Sequence, residues 1–176
     1  MPRAFLLLLL LAAPVLASSA VQMDVPALTR AASDILRARV TSTRCAWTED
    51  HRRLVTFVEV EVLEAWKGPA RASLTLLQPG GERDGLGQRV AGVASLDVGE
   101  ELVLFLERQG PLHRVVGLSQ GVYRVERGPD GRGTRAVPAA VQGLALVAAP
   151  GRALQPRPPV ALEALREAVW REVQRE

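Results

Sequence analysis

The chain has 176 residues, with 22 Lys+Arg against 19 Asp+Glu and 48% hydrophobic residues. That is the length of one domain, which excludes a multidomain machine. Its ordinary charge content and mean hydropathy of +0.09 exclude a wholly disordered chain. The isoelectric point near 9.9 is not the mark of a nucleic-acid surface. All the cations but Lys67 are arginines, and they alternate with acids, as in Arg37, Arg39, Arg44, Glu49, Asp50, Arg52, Arg53, Glu59 and Glu61. A binding face would cluster them, so the pattern describes a mixed solvated surface.

The first twenty residues have the layout of a secretory signal peptide. Arg3 gives a positive start, Phe5 to Leu16 is an apolar block interrupted only by Pro14, and Ala17, Ser18, Ser19 and Ala20 are small. The block is shorter than the ~20 apolar residues that cross a bilayer. Cleavage after Ala17 or Ala20 fits, and Ala20 is preferred because Ser18 and Ala20 are both small. The expectation is an exported protein, periplasmic or secreted, with no membrane span in the mature chain.

Asp24-Val25-Pro26 opens a short helix, since Asp caps well and Pro suits the first turn. From Ile35 to about Arg135 the text reads as strands and turns. Ile35 to Cys45 is a first strand, and Thr48 to Arg53 a polar turn. Leu54 to Trp66 alternates Val58, Val60 and Val62 with Glu59 and Glu61, the period of a half-buried antiparallel strand. Lys67-Gly68-Pro69 ends it. Ala72 to Gln78 is a further strand, and Pro79 to Gly87 is a Gly-rich loop. Gln88 to Ser95 is a weaker strand, followed by a turn at Asp97 to Glu100. Glu101 to Arg108 is a strongly apolar central strand. Leu112 to Leu118, Val122 to Glu126 and an edge strand at Thr134 to Val137 complete the series.

Strands with turns at this spacing predict a small, mainly β domain over residues 21–137, barrel or sandwich. Residues 138–159 shift to Pro, Ala and Gly and are expected to form a covering linker. Residues 160–176 form an amphipathic helix, with Leu162, Leu165, Val169 and Val173 at helical spacing and Trp170 beside them.

The motifs that look like chemistry are incomplete. Gly117-Leu118-Ser119-Gln120-Gly121 matches the G-x-S-x-G nucleophile turn, but a strand follows where that turn needs a helix. Both histidines, His51 and His113, precede Ser119. The loop Gly80 to Gly87 lacks the Gly-Lys-Ser/Thr end of a phosphate loop and holds two acids. It remains the first candidate for recognition, because loops on rigid scaffolds carry it. Cys45 is the single cysteine, so it cannot staple its own chain, and it reads as a buried small hydrophobe. Two histidines and one cysteine, widely separated, do not spell a zinc site. Tyr123, with three Phe and three Trp, gives no periodic stacking platform for single strands. No catalytic, cofactor-binding or metal residue is assigned, and no cofactor or nucleic acid is expected.

The succession Ser33-Asp34-Ile35-Leu36-Arg37-Ala38-Arg39-Val40, Val58 to Gly68, Val98 to Leu106 and Gln120 to Val125 resembles a group of uncharacterised exported bacterial proteins. More distantly it is similar to the netrin-like modules of the metalloproteinase-inhibitor superfamily, over about residues 25–127. The resemblance implies an antiparallel Greek-key, OB-like barrel. The inhibitors of that superfamily chelate a target zinc through an N-terminal Cys and carry several disulfides. This chain has no Cys near Val21, so the resemblance supports the barrel and not that mechanism. The expected function is a non-enzymatic exported binding or structural module with a protein or envelope partner. The alternatives are a small secreted hydrolase or metal-dependent enzyme and a netrin-like protease inhibitor.

Overall fold

A computed structural model describes residues 18–129 and 131–176. The expected leader lies outside the described residues as far as residue 17. The chain opens with β1 (Ser19–Val21) and α1 (Val25–Ala31). Asp24 caps α1 by accepting a hydrogen bond from the Ala27 N–H at 2.8 Å, with Pro26 in the first turn. Two 14-residue strands follow, β2 (Asp34–Trp47) and β3 (Leu54–Lys67), and then β4 (Ser73–Pro79). A small hairpin, β5 (Gly81–Arg83) and β6 (Leu86–Gln88), comes next. After it stand β7 (Glu101–Gln109), β8 (Leu112–Val115), a 3-10 turn at Leu118–Gly121, and β9 (Val122–Arg127). The chain ends with β10 (Thr134–Pro138), β11 (Ala145–Val147), β12 (Val160–Ala161) and α2 (Leu162–Val173).

The protein is mainly β, with one large sheet ordered β12-β10-β9-β7-β2-β3-β4-β8. β8 pairs antiparallel with β7 and also in parallel with β4, where Leu76 faces His113. The β2–β3 ladder carries register shifts at Ile35/Leu36, Arg37/Ala38 and Val40/Ser42. Such shifts bend and twist a ribbon, and the ordinary alternation of a strand lets β2 feed both faces of the sheet. Leu36, Ala38 and Val40 join Val58, Val60, Leu74, Leu76, Leu102, Leu104 and Leu106 in one core. Ile35 joins Val103, Phe105, Tyr123 and Ala136 in a second core, roofed by Leu28 of α1 and by Leu165 and Val169 of α2. This explains why β7 is apolar without alternation. Its even residues fill one core and its odd residues the other, so both faces are dry. Each such Leu or Phe, fully buried, contributes about 1.5–3 kcal/mol of transfer free energy.

Four segments depart from the sequence reading. Gln88 to Ser95 is not a strand, and ordered pairing in that region belongs to β5 and β6. Ala94 and Leu96 are buried at period two, yet the backbone around them is committed elsewhere. Gly92 donates to the Gln142 carbonyl and accepts from the Ser119 N–H. The strand begun at Leu112 stops at Val115, because Gly117 and Leu118 both take left-handed backbone, with φ near +62° and +61°. β10 is not an edge, since Val160 and Ala161 leave the expected helix to pair with Ala136 and Arg135. Within residues 138–159, β11 pairs in parallel with β1, joining Ser19, Ala20 and Val21 to Ala145, Leu146 and Val147. Among the described residues no helix is long and apolar enough to cross a membrane.

Candidate functional site

The group nearest to reaction chemistry surrounds Asp34, the first residue of β2, which is 1% exposed. Its carboxylate accepts from Ser33 Oγ at 2.8 Å and from Arg71 Nη2 at 3.2 Å. Arg108 Nη2 stands 3.7 Å away, and His113 Nε2 3.4 Å away. Lys67-Gly68 makes room for this cluster. Gly68 has φ near +91°, and a Cβ there would lie 2.7 Å from Asp34 Oδ1. Burial pushes the His113 imidazole below its ordinary value of 6.5; Asp34 opposes that shift, and Arg71 and Arg108 reinforce it. The ring is therefore neutral at neutral pH. Its Nδ1 is buried without a hydrogen-bond partner. The geometry is that of a carboxylate neutralised by two guanidinium groups, with an imidazole completing the packing.

The residues singled out in the sequence do not assemble around this pair. Ser119 is fully buried in the 3-10 turn and its hydroxyl has no partner, so no base activates it. β9 follows the turn where a nucleophile turn needs a helix. The two glycines of the motif serve packing instead. Gly117 supplies the left-handed entry, and a Cβ on Gly121 would lie 2.4 Å from the Val116 carbonyl. Cys45 is half-buried and not, as expected, buried. It lies against Gly81, where a Cβ would come within 2.6 Å of its sulfur. His51 is exposed in the 48–53 turn with φ near +54°. The Gly80 to Gly87 loop is a short hairpin, tied down by Gln88 Oε1 accepting from the Leu54 N–H at 2.7 Å and by Arg83 donating to the Cys45 carbonyl at 3.1 Å. Among the described residues no cluster of three His, Cys, Asp or Glu is close enough to hold a metal.

An apolar cavity lies elsewhere, where the Pro-rich segment crosses the entry to α1. It has a volume of about 230 Å³. Met23, Val25, Val160, Leu165 and the prolines of the strap give it apolar walls, with Tyr123 at its side. The strap is fastened by a reciprocal pair, in which Gln22 Nε2 donates to the Gln155 carbonyl and the Gln155 N–H donates to Gln22 Oε1, both at 2.7 Å. Arg152 pairs with Asp24 at 3.1 Å on the exposed rim. Deeper, Gln120 is 1% exposed; its side chain accepts from the Met23 N–H at 2.8 Å and donates to the Val21 carbonyl at 3.1 Å.

Asp24 and Arg152 being exposed, Arg157 is the half-buried charged member of this cavity. Its Nη2 donates to the Gln120 carbonyl at 2.6 Å and to Tyr123 Oη at 3.1 Å. The guanidinium lies 5.3 Å from the Tyr123 ring centre. Among the described residues no carboxylate pairs with it, and Nε and Nη1 make no hydrogen bond. By contrast, the half-buried Arg37, Arg71, Arg124 and Arg166 each face an acid, while Arg135 on β10 shares with Arg157 the lack of one among the described residues. Sequence reasoning passed over Gln120 and Arg157. The one local signal was an arginine set between prolines, in Gln155-Pro156-Arg157-Pro158-Pro159. No family model matches the chain, and comparison with curated proteins finds no significant match.

Proposed function

We propose that the protein is an exported, non-enzymatic binding module on a small OB-like Greek-key barrel, and that the strap cavity is its binding site. The circuit of pairings β7-β2-β3-β4-β8 and back to β7, with β4 and β8 parallel, supports the barrel reading. The single observation that carries the binding reading is the apolar cavity holding a guanidinium without a counter-charge, an arrangement of convergent polar group and greasy wall that ligand sites share. The apolar block and small residues of the first twenty positions support export. Ser19 and Ala20 pair with Ala145 and Leu146, which favours cleavage after Ala17, because cleavage after Ala20 would remove most of β1.

The hydrolase alternative rests on the Asp34–His113 contact, and it lacks a nucleophile within reach of His113. The test is a thermal-shift screen of the mature protein against small apolar compounds of either charge, with each stabilising compound then followed for conversion. The expected result is that some compounds raise Tm and are recovered unchanged. Turnover of a stabilising compound by the purified protein, abolished by His113→Gln, would overturn the reading.

A further inference from the structure

The chemistry of the strap cavity also defines its ligand, and this inference rests on the binding reading above. We infer that the cavity takes an aliphatic monocarboxylate, with the carboxylate on Arg157 and the tail against Met23, Val25, Val160 and Leu165. The charge argument comes first. A guanidinium withdrawn from water is expensive unless a counter-charge or a full set of hydrogen bonds replaces the lost hydration. Arg157 is half-buried, yet its two hydrogen bonds go to the neutral oxygens of Gln120 and Tyr123. Those two contacts, with the Tyr123 ring, fix the plane of the guanidinium and leave Nε and Nη1 to donate. Nε and Nη1 lie on opposite edges of the guanidinium, and a carboxylate oxygen takes a charge-assisted hydrogen bond from one of them.

The size and polarity arguments follow. At about 30 Å³ for each water-sized group, a volume of about 230 Å³ admits about seven or eight non-hydrogen atoms. That is the tail of a medium-chain acid such as octanoate, with its head at Arg157. The other cation of the cavity, Arg152, is already neutralised by Asp24 and stands 68% exposed. The cavity therefore offers one unsatisfied positive group, which selects one negative charge.

The experiment is calorimetric titration of the purified mature protein with octanoate, octan-1-ol and octylammonium. Octanoate is expected to bind saturably at one site, octan-1-ol about tenfold or more weakly, and octylammonium not at all. Arg157→Gln is expected to lower octanoate affinity about tenfold while leaving octan-1-ol unchanged, and Arg39→Gln, on exposed β2, to change neither. Should Arg157→Gln fail to fold, the ranking of the three compounds by the unaltered protein decides alone. Equal binding of octan-1-ol, any binding of octylammonium, or no saturable octanoate binding overturns the assignment. If that happens while the thermal-shift screen still yields unconverted stabilising compounds, the ligand class falls and the binding module stands.

Discussion

Asp34 and Arg157 are opposite solutions to the same electrostatic problem. Asp34 is sealed at the start of β2, and the fold surrounds it with Ser33, Arg71, Arg108 and His113. Arg157 is half-buried beside an apolar cavity, and the fold gives it two neutral acceptors and an aromatic face. The first site is complete in itself and behaves as a structural joint between β2, the 68–71 segment, β7 and β8. The second is incomplete, and incompleteness beside open space is what a ligand site requires. On the binding function proposed above, a guanidinium with too few partners is the better guide, and a perturbed imidazole next to a carboxylate the poorer one.

Breaking Asp34 should cost most. Asp34→Ala leaves Arg71 and Arg108 facing each other without their counter-ion, and urea unfolding should show a loss of about 3–5 kcal/mol. A loss under about 1 kcal/mol would show that the cluster is no structural joint. Gly68→Ala strains a backbone at φ near +91° and drives a methyl into the Asp34 carboxylate, so a loss of about 1–3 kcal/mol is expected in the same assay.

The pH dependence of unfolding sharpens the same site. Burial keeps His113 neutral in the folded state, whereas the unfolded chain takes up a proton near its ordinary value of 6.5. The unfolded state therefore binds more protons just below that pH, and stability is whole above 6.5 and declines as pH falls through the lowered folded value. His113→Gln should flatten this part of the profile.

On the other side of the comparison, Arg157→Gln should cost no more than about 2 kcal/mol, because the two charge-assisted hydrogen bonds it removes are offset by relief of a half-buried charge without a counter-ion. Its larger expected effect is the loss of octanoate affinity proposed above. Ser119→Ala should be smallest, neutral or stabilising by less than about 1 kcal/mol, because the buried hydroxyl it removes has no partner. Marked destabilisation by Ser119→Ala would show that the hydroxyl is satisfied in solution.

Much of the fold was legible because strand signals are local. The alternation of Val58, Val60 and Val62 with acids placed β3, and Glu101 to Arg108 placed β7 as a central strand. The short capped helix and the terminal amphipathic helix were equally plain. The strand expected at Gln88 to Ser95 is not formed, although Ala94 within it is buried, since burial of a side chain needs no paired backbone. The Pro-rich segment misled too. Its composition forbids a helix, but it does not say that the segment lies over α1 and carries Arg157 to Gln120. Trp170, read beside the apolar stripe of the terminal helix, is 42% exposed under the Arg166 guanidinium, which lies 4.8 Å from its ring centre.

The sequence by itself determined the mainly β architecture and the two helices, because hydrophobic period, capping and glycine spacing act within a few residues. Only the tertiary structure decided which charges are neutralised and which are left over. Asp34 meets His113, and Arg157 meets Tyr123, across long stretches of chain. The balance of a buried charge depends on who arrives beside it from elsewhere in the chain, and no local pattern records that.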